Sequence, residues 1–405
     1  MTQPELLRVL FVDDEPPLLQ GMRAAMRRER KRWSMRFAEG AEKALELLAD
    51  EPADVVISDM RMPGMDGAQF LSRVQELYPR TLRIILSGQA DEEATVRAAP
   101  SAHQWLAKPT GREEVVSTID RARAFLPLLR SDRLFEVVGG VRDLPAAPRL
   151  YMRLKQLLSS PETELDDVAG IIESDPAMCA RMLQMCNSAF FSLPRSIADA
   201  RDAVRILGVK TIEQLVLSAE VVRAMPLDDV PELSADALQQ QALLVSRAAL
   251  RVVDEDATAG CAGLLHDLGQ LVLATRAPED FRRALSESAA SGRPLDEVEL
   301  ELLGATHADV GAATLALWGL PECVVTAVAA HHAPDRIEAD EPDASAAVHI
   351  AQCLVEDALA ELRGEAPPAR LDQTLVARLG LTAQLEGWRD AVRSDIQQSE
   401  LREAG

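Results

Sequence analysis

Several side chains in the first third of the chain have the types and spacing to handle a phosphoryl group. Asp13, Asp14 and Glu15 follow the apolar run 7–12, Asp59 follows the run 55–58, Ser87 ends 84–87, and Lys108 precedes Pro109. Three carboxylates brought together repel one another, and a hard divalent cation such as Mg²⁺, which prefers oxygen ligands, relieves that repulsion. A carboxylate anchored beside such an ion can attack phosphorus as a nucleophile. Lys108 and the Ser87 hydroxyl are then suited to hold the oxygens of the acyl phosphate. Any one of these residues alone reads as a solvated turn. All four positions at matching segment ends read as a site.

A second group lies far along the chain. Five of the six histidines fall between residues 266 and 349: His266, His307, His331, His332 and His349. A lone helical histidine is usually a satisfied core residue. His266-Asp267, however, offers an imidazole and a carboxylate side by side, and further histidines follow. Together they have the makeup of a divalent-metal site.

The elements needed to position these residues are visible in the hydrophobic pattern. Runs 7–12 (broken only by Arg8), 55–58 and 84–87 are apolar on both faces, as buried parallel strands are. Helix-period segments such as AEKALELLA (41–49) and QFLSRVQEL (69–77) lie between them. This alternation predicts an α/β doubly wound, flavodoxin-like unit with a five-stranded parallel sheet, whose site sits at the carboxyl ends of the strands. From about residue 134 strand signals fade. Apolar-periodic stretches at 165–173, 177–188, 200–207, 237–253, 259–273, 308–318 and 344–362 predict an all-α second unit, and Asp175-Pro176 makes a good helix start. The expected plan is 1–127 for the first domain, 128–136 for a linker helix, 137–390 for the second domain and 391–405 for a tail. The basic run 27–32 (RRERKR) reads as a solvated face near a helix C-terminus.

Charge supports two modules. Of the net −22 of the 405 residues, residues 1–127 account for −2 and the remainder for −20. An acidic second unit is a poor match for nucleic acid or an anionic membrane, both of which need a basic face. No helix-turn-helix with a basic recognition helix is evident, so direct DNA binding is not expected. No apolar stretch approaches the ~18 residues of a spanning helix, and the N-terminus lacks the pattern of a secretory signal. Five cysteines without a CxxC pair suggest reduced thiols rather than a disulfide frame. A cytoplasmic location is the expectation.

FVDDE, VVISDMRMPGMDG, IILSG and WLAKP together resemble the receiver domain of two-component response regulators, over roughly residues 5–127. The resemblance implies that Asp59 is the phosphoacceptor, and that Asp13 and Asp14 bind Mg²⁺ with Asp59 and the backbone carbonyl of Arg61. It also implies that Ser87 is the switch hydroxyl, Lys108 the phosphate-binding lysine and Trp105 a switch aromatic. The implied phosphodonor is a sensor histidine kinase or phosphotransfer protein.

The order H-D…H…H resembles the HD superfamily of metal-dependent phosphohydrolases. The text around it is similar to one branch, the HDOD domain: LPAAP (144–148), IIESDPAM (171–178), NSAFF (187–191), AVRILG (203–208), LLHDLGQLVL (264–273), WGLP (318–321) and AVAAHH (327–332). That branch is implied to be largely non-catalytic and regulatory. Two ligand positions of HD enzymes are changed here: Val245 stands where a histidine precedes the HD pair, and Gln352 where a later aspartate stands. Valine cannot bind metal and glutamine binds it weakly, so a two-metal centre that activates water is not expected. The GYP signature of cyclic-dinucleotide phosphodiesterases is also missing. A degenerate site on His266, Asp267, His307, His331 and His332 stays open, with a single divalent metal held through His266, Asp267 and His307.

The leading expectation is a phosphorylation-controlled switch whose HDOD domain binds a downstream signalling protein or a nucleotide ligand, with a homodimer open. The alternative is a receiver-controlled phosphodiesterase or phosphohydrolase.

Overall fold

A computed structural model describes residues 6–87, 102–129 and 148–403, apart from residues 187–196 and single positions 109, 159, 161, 162, 198, 226, 228, 255, 319 and 369. The chain divides into two compact units, the first of residues 1–149 with 313–320 and the second of residues 150–312 and 321–405.

In the first unit β1 (Leu7–Asp13), α1 (Pro16–Ala25), β2 (Trp33–Glu39), α2 (Ala41–Asp50), β3 (Val55–Asp59), α3 (Gly67–Leu77), β4 (Leu82–Ser87), β5 (Gln104–Ala107) and α4 (Arg112–Leu129) follow in order. The five strands are all parallel, in spatial order β2-β1-β3-β4-β5. Val9, Leu10, Val55, Val56, Ile84 and Ile85 are fully buried, which is why these strands read as unbroken apolar runs. The strand order reverses between β1 and β3, and in such sheets ligands bind at that point, outside the carboxyl ends. Asp13 and Asp59 are the last residues of those two strands.

The run RRERKR forms a 3₁₀ helix, Met26–Lys31, after α1. Arg27, Arg28, Arg30 and Lys31 are exposed, as a solvated face would be. Glu29 within it is buried and pairs with Arg32 (3.0 Å) and with Arg112 of α4, while Arg32 also reaches Asp120.

Every described element of the second unit is helical. Helix Ala344–Arg363 is buried over most of its circumference, as a helix surrounded by others must be. Two glycines let helices cross at backbone distance. A Cβ on Gly263 would lie 2.6 Å from Ser246 Cα, so helix Ala257–Leu265 sits directly on helix Ala235–Val252. A Cβ on Gly269 would lie 1.8 Å from the His307 carbonyl oxygen and 2.8 Å from Gly311 N. Helix Leu268–Arg276 therefore crosses the start of helix His307–Leu317 with no room for any side chain.

Two expectations change. The stretch 259–273 is two helices, broken at His266-Asp267, because the second helix must turn to make the Gly269 crossing. Residues 391–403 are the second half of helix Leu385–Glu403, where a tail was expected. Val392 and Ile396 bury one face of it, and buried Asp395 pairs with Arg247 (3.3 Å) and Arg251 (2.6 Å). The linker segment 130–136 lies outside the described residues.

Candidate functional site

The first cluster stands at the carboxyl edge of the sheet. Ligand oxygens of Asp13, Asp14 and Asp59 all lie within 4.8 Å of one another. Asp13 is 1% exposed, and its Oδ1 accepts from the Glu15 backbone N–H (2.9 Å), which fixes its rotamer. Lys108, the residue after β5, places Nζ 2.7 Å from Asp59 Oδ1 and 3.4 Å from Asp13 Oδ2. Burial raises the Asp59 pKa, and neighbouring Asp13 adds to this while Lys108 opposes it. For Lys108, burial disfavours the charge, but Asp59 and Asp13 outweigh it and raise the pKa. The donor set is all carboxylate oxygen, which fits a hard cation of the Mg²⁺ class.

Arg61 follows Asp59 by two residues and is exposed. The backbone of Ser87 ends β4 and that of Trp105 lies in β5, but their side chains lie outside the described residues. One contributor was missed in the sequence. A Cβ on Gly67 would lie 2.2 Å from the Asp59 carbonyl oxygen, and Gly67 N–H donates to the Met60 carbonyl (2.8 Å). Only glycine lets α3 start this close behind the acidic residue. The Asp66–Gln69 capping box (2.9 and 3.1 Å) fixes where that helix begins.

The second cluster is assembled from helix ends. His266 and Asp267 occupy the two-residue break before helix Leu268–Arg276, His307 opens helix His307–Leu317, and His331 and His332 follow helix Glu322–Ala330. Ligand atoms of Asp267, His307, His331 and His332 lie within 4.8 Å of one another. Asp267 is central: Oδ1 is 3.3 Å from His307 Nε2 and 3.8 Å from His331 Nε2, and Oδ2 is 3.2 Å from His266 Nε2.

Each of three rings is anchored from behind. Nδ1 of His266 bonds the Gly263 carbonyl (2.8 Å), Nδ1 of His331 the Val328 carbonyl (2.6 Å), and Nδ1 of His307 the buried Glu299 carboxylate (2.7 Å). Because those partners are acceptors, each Nδ1 is the donor and each Nε2 faces Asp267. Those three Nε2 atoms and Asp267 Oδ1 are buried without a hydrogen-bond partner. Buried polar atoms are rarely left so, and a metal ion would satisfy those of His307, His331 and Asp267, whose ligand atoms lie within 4.8 Å of one another.

Charges in the cluster are strongly coupled. Burial opposes charge on His307, but Glu299 and Asp267 outweigh it and hold its pKa well above the ordinary value. Burial likewise opposes the Asp267 charge, yet His266 and His307 pull its pKa well down. His331 and His332 are pushed well down, first by burial and then by neighbouring histidine charge.

Val245 and Gln352 are both buried. Val245 is on helix Ala235–Val252, where its backbone packs on Gly263, and Gln352 donates to Glu356 (2.8 Å) on helix Ala344–Arg363. Among the described residues no carboxylate besides Asp267 joins the ligand group. His349 stands apart from it, with Nδ1 on the His331 carbonyl (2.9 Å). Glu299 and Arg370 were not singled out in the sequence. Arg370 reaches Asp296 (2.8 Å) and His332 Nδ1 (3.2 Å).

Known proteins resemble the chain in two parts. The response regulator receiver domain family matches residues 9–120, and the HDOD domain family matches residues 144–334. An uncharacterized protein of Treponema pallidum is 25% identical over 202 residues, 48% of this chain and 39% of its own length. The DNA-binding transcriptional regulator NtrC of Escherichia coli is 35% identical over 109 residues, 27% of this chain and 23% of its own. The chain thus spans well under half the length of these curated relatives. The solved structure of a putative phosphohydrolase from Shewanella amazonensis shares the fold over 67% of this chain and 97% of that one (TM-score 0.52, 22% identity). With a receiver domain followed by an HDOD domain on one polypeptide, the chain belongs to the two-component response regulators with an HDOD output.

Proposed function

We propose that the protein is a phosphorylation switch in which Asp59 accepts a phosphoryl group from a phosphohistidine donor and thereby alters a non-catalytic HDOD domain. The observation that carries this reading is the gathering of Asp13, Asp14 and Asp59 within 4.8 Å, with Lys108 Nζ 2.7 Å from Asp59. An Asp59 oxygen forms a bond to phosphorus as the phosphorus–nitrogen bond to the donor imidazole breaks. The electron pair stays with the imidazole, which takes up a proton. Asp13, Asp14, Asp59 and the Arg61 carbonyl would hold Mg²⁺, which when bound neutralises the oxygens of the transferring group. Lys108 moves its ammonium onto the new phosphoryl oxygens, and the Ser87 hydroxyl donates to another. On this reading residues 1–127 form the receiver, and the HDOD domain extends through the helix ending at Glu403. Incubation with a small phosphodonor and Mg²⁺ is expected to add one phosphoryl group, about 80 Da, located on Asp59 by peptide mass analysis. No adduct, or an adduct elsewhere, overturns the assignment.

The output is read as a binder of a protein or nucleotide partner because a two-metal hydrolytic centre lacks two of its ligands at Val245 and Gln352. The unsatisfied Nε2 atoms of His307 and His331 with Asp267 Oδ1 support a single metal ion in the HDOD domain. This nitrogen-rich set suits zinc or a neighbouring transition metal rather than Mg²⁺. Equal partner capture by fully phosphorylated wild type and by Asp59→Ala would refute control of the output by the receiver.

A further inference from the structure

His331 and His332 are adjacent, their rings 4.1 Å apart, and both lie in the cluster around Asp267. By composition either could serve as a metal ligand. Their hydrogen bonds make them unequal. His331 Nδ1 faces the Val328 carbonyl at 2.6 Å, so Nδ1 carries the proton and the Nε2 lone pair is free, 3.8 Å from Asp267 Oδ1. His307 Nδ1 likewise faces Glu299 at 2.7 Å, which leaves Nε2, 3.3 Å from Asp267 Oδ1, as its ligand atom.

His332 is reversed. Its Nδ1 is 3.2 Å from Arg370 Nη1. A guanidinium only donates, so Nδ1 must accept with its lone pair. The neutral ring then carries its proton on Nε2, and neither nitrogen has a lone pair left for a cation. Arg370 is fixed in this pose by a two-pronged pair with Asp296, Nη1–Oδ1 and Nη2–Oδ2 both 2.8 Å.

We propose that Arg370, braced by Asp296, keeps His332 out of the coordination set, so that the HDOD domain binds one transition-metal ion through Asp267, His307 and His331. Arg370 is a positioning residue here, acting on the metal site only through His332. The inference rests on the reading that this cluster holds a metal, and its test separates the two.

The full chain, stripped with a chelator and kept in excess Mg²⁺ to fill the carboxylate site, is titrated with Co²⁺. Visible absorption reports ligand number and type, and metal analysis reports stoichiometry. Wild type is expected to bind one Co²⁺ per chain with the intense bands of a low-coordinate, nitrogen-ligated ion. His331→Gln should weaken binding by at least about 100-fold, whereas His332→Gln should change it less than about threefold. Arg370→Met should free the His332 lone pair and shift the spectrum toward one more nitrogen. His332→Gln in that background should reverse the shift. Equal losses for the two histidine variants, or an unchanged spectrum in Arg370→Met, overturn the role of Arg370 while leaving the metal site standing. Wild type without Co²⁺ bands overturns the metal site, and the proposal with it. Should His331→Gln fail to fold, as judged by circular dichroism, the Arg370→Met spectrum and its reversal decide the matter.

Discussion

Lys108 is the residue on which the electrostatics of the receiver turns. Its ammonium lies 2.7 Å from Asp59 and 3.4 Å from Asp13 and is partly open to solvent. It therefore competes with any divalent cation for the same carboxylates. Two unit charges at such a separation interact by a few kcal/mol at an effective dielectric constant of about 20, and solvent exposure reduces this further. Lys108→Met is accordingly expected to tighten Mg²⁺ binding by about tenfold, or about 1.4 kcal/mol, measured by calorimetric titration. Weaker Mg²⁺ binding in the variant would contradict the competition. Asp59→Asn is expected to abolish the phosphoryl adduct, because the amide offers no anionic oxygen to attack phosphorus. An adduct of the same mass on the variant would move the phosphoacceptor elsewhere.

Among the elements, the helix crossings bear the tightest constraints. Gly269 allows helix Leu268–Arg276 to lie on the backbone of His307 and Gly311, and this crossing brings Asp267 beside His307. A methyl group 1.8 Å from a carbonyl oxygen cannot be accommodated without moving a helix. Gly269→Ala is expected to cost about 2–4 kcal/mol in denaturant unfolding of the HDOD domain. A loss below about 0.5 kcal/mol would show that the crossing is loose. Gly67→Ala tests the equivalent point in the receiver. The added Cβ, 2.2 Å from the Asp59 carbonyl oxygen, must displace either α3 or the end of β3. Slower phosphorylation with the sheet retained is the expected outcome, read from adduct formation rate and circular dichroism.

At the scale of the molecule, the receiver and HDOD units each have a core of their own, one on a parallel sheet and one on the enclosed helix Ala344–Arg363. Calorimetry is expected to resolve two unfolding transitions, since two cores need not melt as one. A ligand that binds only a native domain stabilises it by about 2.7 kcal/mol at a hundredfold excess over Kd. Mg²⁺ with beryllofluoride, a phosphoryl mimic, should raise the midpoint of the receiver transition alone. Equal shifts in both transitions would mean that the units unfold cooperatively. No described helix is long and apolar enough to cross a membrane.

The receiver site was legible because its logic is local. Asp13 and Asp59 each follow an apolar run and Ser87 ends one, and parallel strands deliver their carboxyl ends to one edge whatever the loops between them do. Strands β2 and β5 were harder to see, since WSMRFAE and QWLA carry no unbroken apolar run. Residue types likewise marked His266, Asp267, His307, His331 and His332 as a group. Only the tertiary structure decided how that group works. The tautomer of a histidine depends on what stands behind its ring, and Glu299, Val328, Gly263 and Arg370 come to those places through helix packing that no periodicity announces. The same holds for Gly67 and Gly269, whose need for an absent side chain exists only once another backbone lies against them.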